Sequence, residues 1–184
     1  LRDHLHDFER LANSVSERPT RLAEIVPDYP SVIGAVDAAK VGMGGVLFAE
    51  DHAPLLWRAP FPPDIQSHLI SFDNPHGDIT NSDLEQAGML GQADIANTQF
   101  DLRERTLATL NDNTAAISRN RKGTISSDQA AAYLCRLSSM HRRHHRYAHE
   151  VSHIKGAANT MADTISRSMN LTDKELLTLF DSTF

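Results

Sequence analysis

Five consecutive residues without a polar side chain, Val32-Ile33-Gly34-Ala35-Val36, run straight into a carboxylate at Asp37. A run this short and apolar fits a strand buried in a sheet. It leaves Asp37 partly desolvated unless a cation or hydrogen-bond donors compensate. The pattern then repeats: Gly42, Gly44 and Gly45 are read as a turn, Val46-Leu47-Phe48 as a returning strand and Leu55-Leu56-Trp57 as a third. The proline-bearing stretch from there to Gly77 shows no clear period. Over residues 81–97 the pattern becomes helical, with Leu84, Ala87, Gly91 and Ile95 on one face. Residues 106–110 read as a fourth strand and 114–120 as a short helix. A longer helix runs through Ala130, Tyr133, Leu134 and Leu137, with Ser126 or Ser127 as its cap. Residues 147–154 read as a last strand, with helices over 159–168 and 172–180. Strands first, then strands mixed with helices, predict an α/β fold with a mixed sheet. Trp57 and Tyr133 are expected in the core, as isolated aromatics usually are.

The first 27 residues start out helical, with Leu5, Phe8, Leu11 and Val15 at helical spacing, before Pro19, Pro27 and Pro30 interrupt. They read as a lead-in joined by a linker to a single domain, and 184 residues suffice for such a domain and its core. Without an initiator Met, the chain reads as a segment of a longer polypeptide. No apolar run approaches the ~20 residues that span a bilayer, and the charged start does not resemble a secretory signal. Cys135, the only cysteine, excludes intramolecular disulfides and cysteine-rich zinc sites and favours an intracellular setting.

The net charge of -6 argues against nucleic acid as a partner, but the distribution argues for it. Arg119, Arg121, Lys122, Arg136, Arg142, Arg143 and Arg146 fall in one stretch, opposed only by Asp128. Within it Arg136 and Arg143, and Arg142 and Arg146, lie at helical spacings that put each pair on one face. Such a face suits a phosphate backbone, and it also suits the C-terminal end of a helix dipole. His141, His144, His145, His149 and His153 form a run in which spacing four can bind zinc. No Cys or His-Glu-x-x-His pattern accompanies them, which weighs against a zinc site.

Four acids stand at turning points. Asp37 ends the first strand, and Glu85 follows Leu84 at the edge of the apolar helix face. Its rival Asp83 lies ~200° away around the helix at ~100° per residue. Asp112 falls between a strand and a helix, where aspartate is a common cap, and Asp163 sits on a helix whose Ala162 and Ile165 face inward. Each alone has an ordinary reading as a turn residue, helix-start acid, cap or exposed helical aspartate. Their order and setting together carry the information.

These residues resemble the ribonuclease H domains of retroelement reverse transcriptases. Val36-Asp37-Ala38-Ala39-Lys40-Val41-Gly42-Met43-Gly44-Gly45-Val46 looks like the family's opening hairpin with its first metal-binding aspartate. Thr80-Asn81-Ser82-Asp83-Leu84-Glu85 resembles the start of its first helix, and Asn111-Asp112-Asn113-Thr114-Ala115 the end of its fourth strand. The segment from His153 to Arg167 is similar to the closing motif His-Ile-x-Gly-x-x-Asn-x-x-Ala-Asp-x-x-Ser-Arg, with the histidine ten residues before the last aspartate.

The resemblance implies a ribonuclease H-like fold, a mixed five-stranded sheet flanked by helices, over residues 31–168. Residues 1–30 would be a connection from an upstream polymerase, and 169–184 a C-terminal helical tail. It also implies two Mg²⁺ or Mn²⁺ ions held by Asp37, Glu85, Asp112 and Asp163, hydrolysing the RNA strand of an RNA–DNA hybrid. His153 would move a proton or aid product release. Asn113 and Asn159 would support the site, with Asn159 capping its own helix in preference to orienting Asp163. The setting implied is a retroelement particle in cytoplasm or nucleus, with no membrane partner. A catalytically silent module of the same fold, binding nucleic acid or protein, is the alternative. A proofreading exonuclease would carry a second acid at position 39, which is Ala, and an integrase would end its acid series on Glu.

Overall fold

The computed structural model describes residues 2–17, 28–123 and 129–184. The expected linker at Pro19 and Pro27 and the expected cap at Ser126 or Ser127 lie outside the described residues.

Five strands form one sheet in the order β3-β2-β1-β4-β5, comprising β1 (Val32–Ala39), β2 (Gly42–Ala49), β3 (Leu55–Pro60), β4 (Thr106–Asn111) and β5 (Ala148–His153). β1, β2 and β3 pair antiparallel, while β1–β4 and β4–β5 pair parallel. The helices are α1 (Arg2–Glu17), α2 (Pro63–His68), α3 (Asn81–Gln99), α4 (Thr114–Lys122), α5 (Gln129–His145), α6 (Thr160–Arg167) and α7 (Asp173–Thr183). A mixed sheet flanked by helices is therefore the architecture, as the resemblance implied.

Both faces of the sheet are covered. Val32, Val36, Leu47, Trp57, Leu107 and Val151 pack with Met89, Ala93 and Ala96 of α3 and with Ala116 and Ile117 of α4. On the other face, Val46 packs with Ile165 of α6 and Leu176 of α7. Arg58 of β3 fixes the chain between α6 and α7. It donates to the Ser168 and Leu171 carbonyls, the latter at 2.7 Å, and to Asp173 at 2.9 Å.

Three expectations need correction. Gly42, Gly44 and Gly45 form no turn; they open β2, and Lys40 and Val41 make the turn. Glycine is needed there because helices press on both faces of the strand. A Cβ on Gly44 would lie 2.6 Å from the Ile165 side chain, and one on Gly45 would lie 2.5 Å from Gln92 Oε1. The buried face of α3 is rotated from the expected stripe and includes Glu85, Gly88, Met89, Gln92 and Ala96, because the sheet covers one side while α5 covers another. Tyr133 is 52% exposed, with the Arg136 guanidinium over its ring at 5.1 Å, whereas Trp57 is buried as expected. The unassigned stretch before Gly77 contains α2 and one parallel bridge, Leu69 to Ile79.

Candidate metal centre

The parallel ladder between β1 and β4 ends at the Ala35–Leu110 pair, one residue before Val36 and Asn111. Beyond that point the strands have no ladder bonds to each other, and ligands in open α/β sheets bind in such crevices at the carboxyl ends of strands. Asp37 continues β1 there, and Asp112 immediately follows β4. Glu85 reaches the same place from the first turns of α3, whose start is fixed by a capping box. Thr80 accepts from the Asp83 amide, and Asp83 accepts from the Thr80 amide at 2.7 Å.

That cap also gives the two acids different surroundings. Asp83 is used by the cap and by Arg119, which donates to it at 2.6 Å, while Glu85 is free to turn toward the strand ends. In the same way Asn113, not Asp112, caps α4, accepting from the Ala116 amide at 3.0 Å. Its neighbour Asp112 is left to face the crevice.

One oxygen each from Asp37, Glu85 and Asp112 lies within 4.8 Å of the others. Asp37 is 5% exposed and Glu85 2%. Burial, and then the charges of Asp163 and Asp112, push the Asp37 carboxyl above its ordinary range, against a hydrogen bond from Ser166 Oγ at 2.5 Å. Burial lifts Glu85 further, to about 8, with Asp37 and Asp112 adding to it and the Asn111 amide, donating at 2.8 Å, opposing it.

Asp163 stands beside this trio rather than within it: its carboxylate accepts from Arg167 Nε at 2.6 Å, and its charge reaches Asp37. Arg167 is in turn raised by Asp163 and by the more distant Asp37 and Glu85, which makes it a resident counter-charge.

The remaining candidates divide. His153 ends β5, exposed and in register with Asn111. The following loop passes so close that a Cβ on Gly156 would lie 3.0 Å from Asp112 Oδ2. Asn159 is buried but makes no side-chain cap to α6, which corrects the preferred reading. Its amide donates instead to the Val36 carbonyl at 3.1 Å.

The basic stretch is not one open face. Arg119 pairs with Asp83, Arg136 with Asp7 of α1 at 3.3 Å, and Arg146 with Glu104. Arg121 donates to the Val151 carbonyl and Arg143 to Ser14 Oγ. Lys122 is exposed at the end of α4, and Arg142 is half-buried near His149. Of the histidine run, His141 joins Tyr147 and Asp94, and His145 joins Asn97 at 2.9 Å. His149, which burial lowers to about 3, meets Thr109 at 2.9 Å.

Sequence reasoning missed Asn111, Ser166 and Arg167 as parts of the site. A signal for Asn111 existed: Leu107, Thr109 and Asn111 share the strand face that looks inward, so the asparagine had to be buried.

No protein-family model and no curated protein gives a significant match to the sequence. Solved structures match in fold. They include ribonuclease H1 from Halobacterium salinarum NRC-1, with TM-score 0.50, 15% identity, and 80% of this chain on 97% of that one. The N-terminal ribonuclease H domain of a Mycobacterium tuberculosis protein gives 0.52 and 16%, covering 73% and 94%. LC11-RNase H1, solved in complex with RNA/DNA hybrid, gives 0.51 and 17%, covering 73% and 92%. The chain has the ribonuclease H fold.

The trio has the chemistry of a divalent-cation site: oxygen-only donors, which suit hard ions such as Mg²⁺ or Mn²⁺. Two of its three carboxylates are buried without an ion-pair partner among the described residues, and a cation would offset the cost of ionising them there. Among those residues no helix is long and apolar enough to cross a membrane.

Proposed function

We propose that this chain is a metal-dependent endonuclease that hydrolyses the RNA strand of RNA–DNA hybrids, as the ribonuclease H domain of a retroelement reverse transcriptase. The observation that carries the reading is the convergence of Asp37, Glu85 and Asp112 where β1 and β4 part. The proposed domain is residues 31–168, with the tail 169–184 packed on it through Leu176 and a connection from the polymerase before it. Ions held at the site would lower the pKa of an attacking water and stabilise charge on the phosphate.

Asp37, Glu85 and Asp112 are the ligands, with Asp163 completing the set at the rim. Ser166 orients Asp37 by its hydroxyl, and Arg167 keeps Asp163 in place until substrate arrives. His153, exposed at the end of β5, moves a proton or aids product release. The phosphate backbone is assigned to the basic stretch, foremost to Lys122 at the exposed end of α4. Ion pairs within the fold occupy Arg119, Arg136 and Arg146, so a polymerase partner would supply part of the grip.

The test is cleavage of a hybrid labelled on each strand in turn, with Mg²⁺ or Mn²⁺ and with EDTA, beside DNA and RNA duplexes. RNA-strand cutting confined to the hybrid, and lost with EDTA, is expected. Hybrid binding without cutting in either metal would favour the silent module.

A further inference from the structure

Asn111 is fully buried and uses its whole side chain. Its Nδ2 donates to Glu85 Oε2 at 2.8 Å and to the Val36 carbonyl at 3.1 Å, and its Oδ1 accepts from the Asn113 amide at 2.9 Å. These three partners belong to β1, α3 and the start of α4. Each adjoins or is a residue of the site: Val36 precedes Asp37, Glu85 is a carboxylate of the trio, and Asn113 follows Asp112.

The Val36 carbonyl lies just past the end of the β1–β4 ladder, and the Asn159 amide bonds it too, at 3.1 Å. Two side-chain amides thus replace the ladder bond that the parting strands give up. A neutral donor is what this place requires. A cation at Asn111 would neutralise Glu85 and compete with a metal, and an apolar residue would leave both Glu85 and the carbonyl with fewer donors.

We infer that Asn111 is a positioning residue of the centre, setting Glu85 against Asp37 and Asp112 from behind while staying off the ion itself. The inference rests on the metal-centre reading and extends it to a residue that touches neither ion nor substrate. Groups that orient metal ligands in this way carry about 10- to 100-fold in metal affinity.

The test uses Asn111→Val and Asn111→Thr in the full chain. The two replacements share a shape that suits a strand end, and the threonine retains one donor. Calorimetric Mg²⁺ affinity should fall about 10- to 100-fold for valine and less for threonine. Melting temperatures in EDTA should separate the two variants far less than their affinities do. Wild-type affinity in folded Asn111→Val would overturn the inference. If that variant does not fold, wild-type affinity in Asn111→Thr would overturn it instead.

A wild-type chain that binds no divalent ion would sink the metal-centre reading rather than the contact. The Asn111 side-chain amide would then decide, by NMR of the metal-free protein. Slow exchange, with a shift on Glu85→Gln, supports the anchor; rapid exchange with no such shift overturns it.

Discussion

The acids and the bases of this chain behave in opposite ways. Asp37, Glu85 and Asp112 are far apart in sequence and converge to within 4.8 Å, with Asp163 beside them. The seven cations between Arg119 and Arg146 are close in sequence, and five of them disperse: Arg119 to the cap of α3, Arg136 to α1, Arg146 to Glu104, Arg121 to a backbone carbonyl and Arg143 to a hydroxyl, while Lys122 stays exposed and Arg142 lies near His149. Convergence comes from topology, because two parallel strands end and a capped helix begins at one crevice. Dispersal comes from helix geometry, since α4 and α5 turn successive residues to different neighbours. A run of like charge is therefore poor evidence of a surface, whereas carboxylates at the ends of adjacent parallel strands are good evidence of a site.

The largest effect expected is on the converged side. Asp37→Asn or Asp112→Asn should lower hybrid cleavage by more than about 100-fold, since even groups behind metal ligands carry 10- to 100-fold. Retained cleavage in both would dissolve the contrast.

Next comes the crowding itself. The unfolded chain releases the Glu85 proton near 4.5, whereas the fold holds it to about 8. The fold binds the extra proton, so this contribution to stability is fully present below pH 4.5 and is lost as pH rises through 8. His149, held down to about 3 by burial, adds stability as pH rises to its unfolded value of 6.5 and offsets this loss below that point. Thermal melts in EDTA should therefore show the melting temperature falling between 6.5 and about 8, with the fall smaller in Glu85→Gln. Because binding a cation requires the carboxylate, Mg²⁺ should raise the melting temperature most at the alkaline end. A pH-independent melt would count against a buried, crowded Glu85.

On the dispersed side, Arg119→Met should destabilise the fold by about 2–3 kcal/mol, read by chemical denaturation. It strands Asp83, which is 2% exposed, without its partner. A loss under 0.5 kcal/mol would show that Arg119 is not spent on the fold.

The smallest expected change belongs to Lys122→Ala. Lys122 is exposed and has no ion-pair partner among the described residues, so stability should move by less than about 0.5 kcal/mol. The slope of hybrid affinity against salt should fall by about one. An unchanged slope would move the phosphate contact off α4.

Much of this was legible beforehand. Apolar runs pointed to the first three strands and residues 106–110 and 147–154 to the last two, while the choice of Asp37 and Asp112 rested on their order and setting within the resemblance, since each alone had an ordinary reading. Local signals missed what depends on neighbours from elsewhere in the chain. Gly44 and Gly45 looked like a turn because the requirement for glycine, helices pressed on both faces of β2, is not local. Asn159 looked like a cap because its use, the Val36 carbonyl, belongs to β1. Tyr133 looked like core because isolated aromatics usually are, and nothing in the helix period reveals that its ring lies half exposed against the Arg136 guanidinium. The ion pairs of the basic helices were hidden for the same reason.

The central claim is that the separated acids form one divalent-cation centre, and crystals grown with Mn²⁺ and measured for anomalous scattering test it most directly. Anomalous density among Asp37, Glu85 and Asp112, with Asp163 at its edge and none in Asp112→Asn, is the predicted result. A clean wild-type map with no peak at these carboxylates, at Mn²⁺ concentrations that saturate ordinary carboxylate sites, would contradict it.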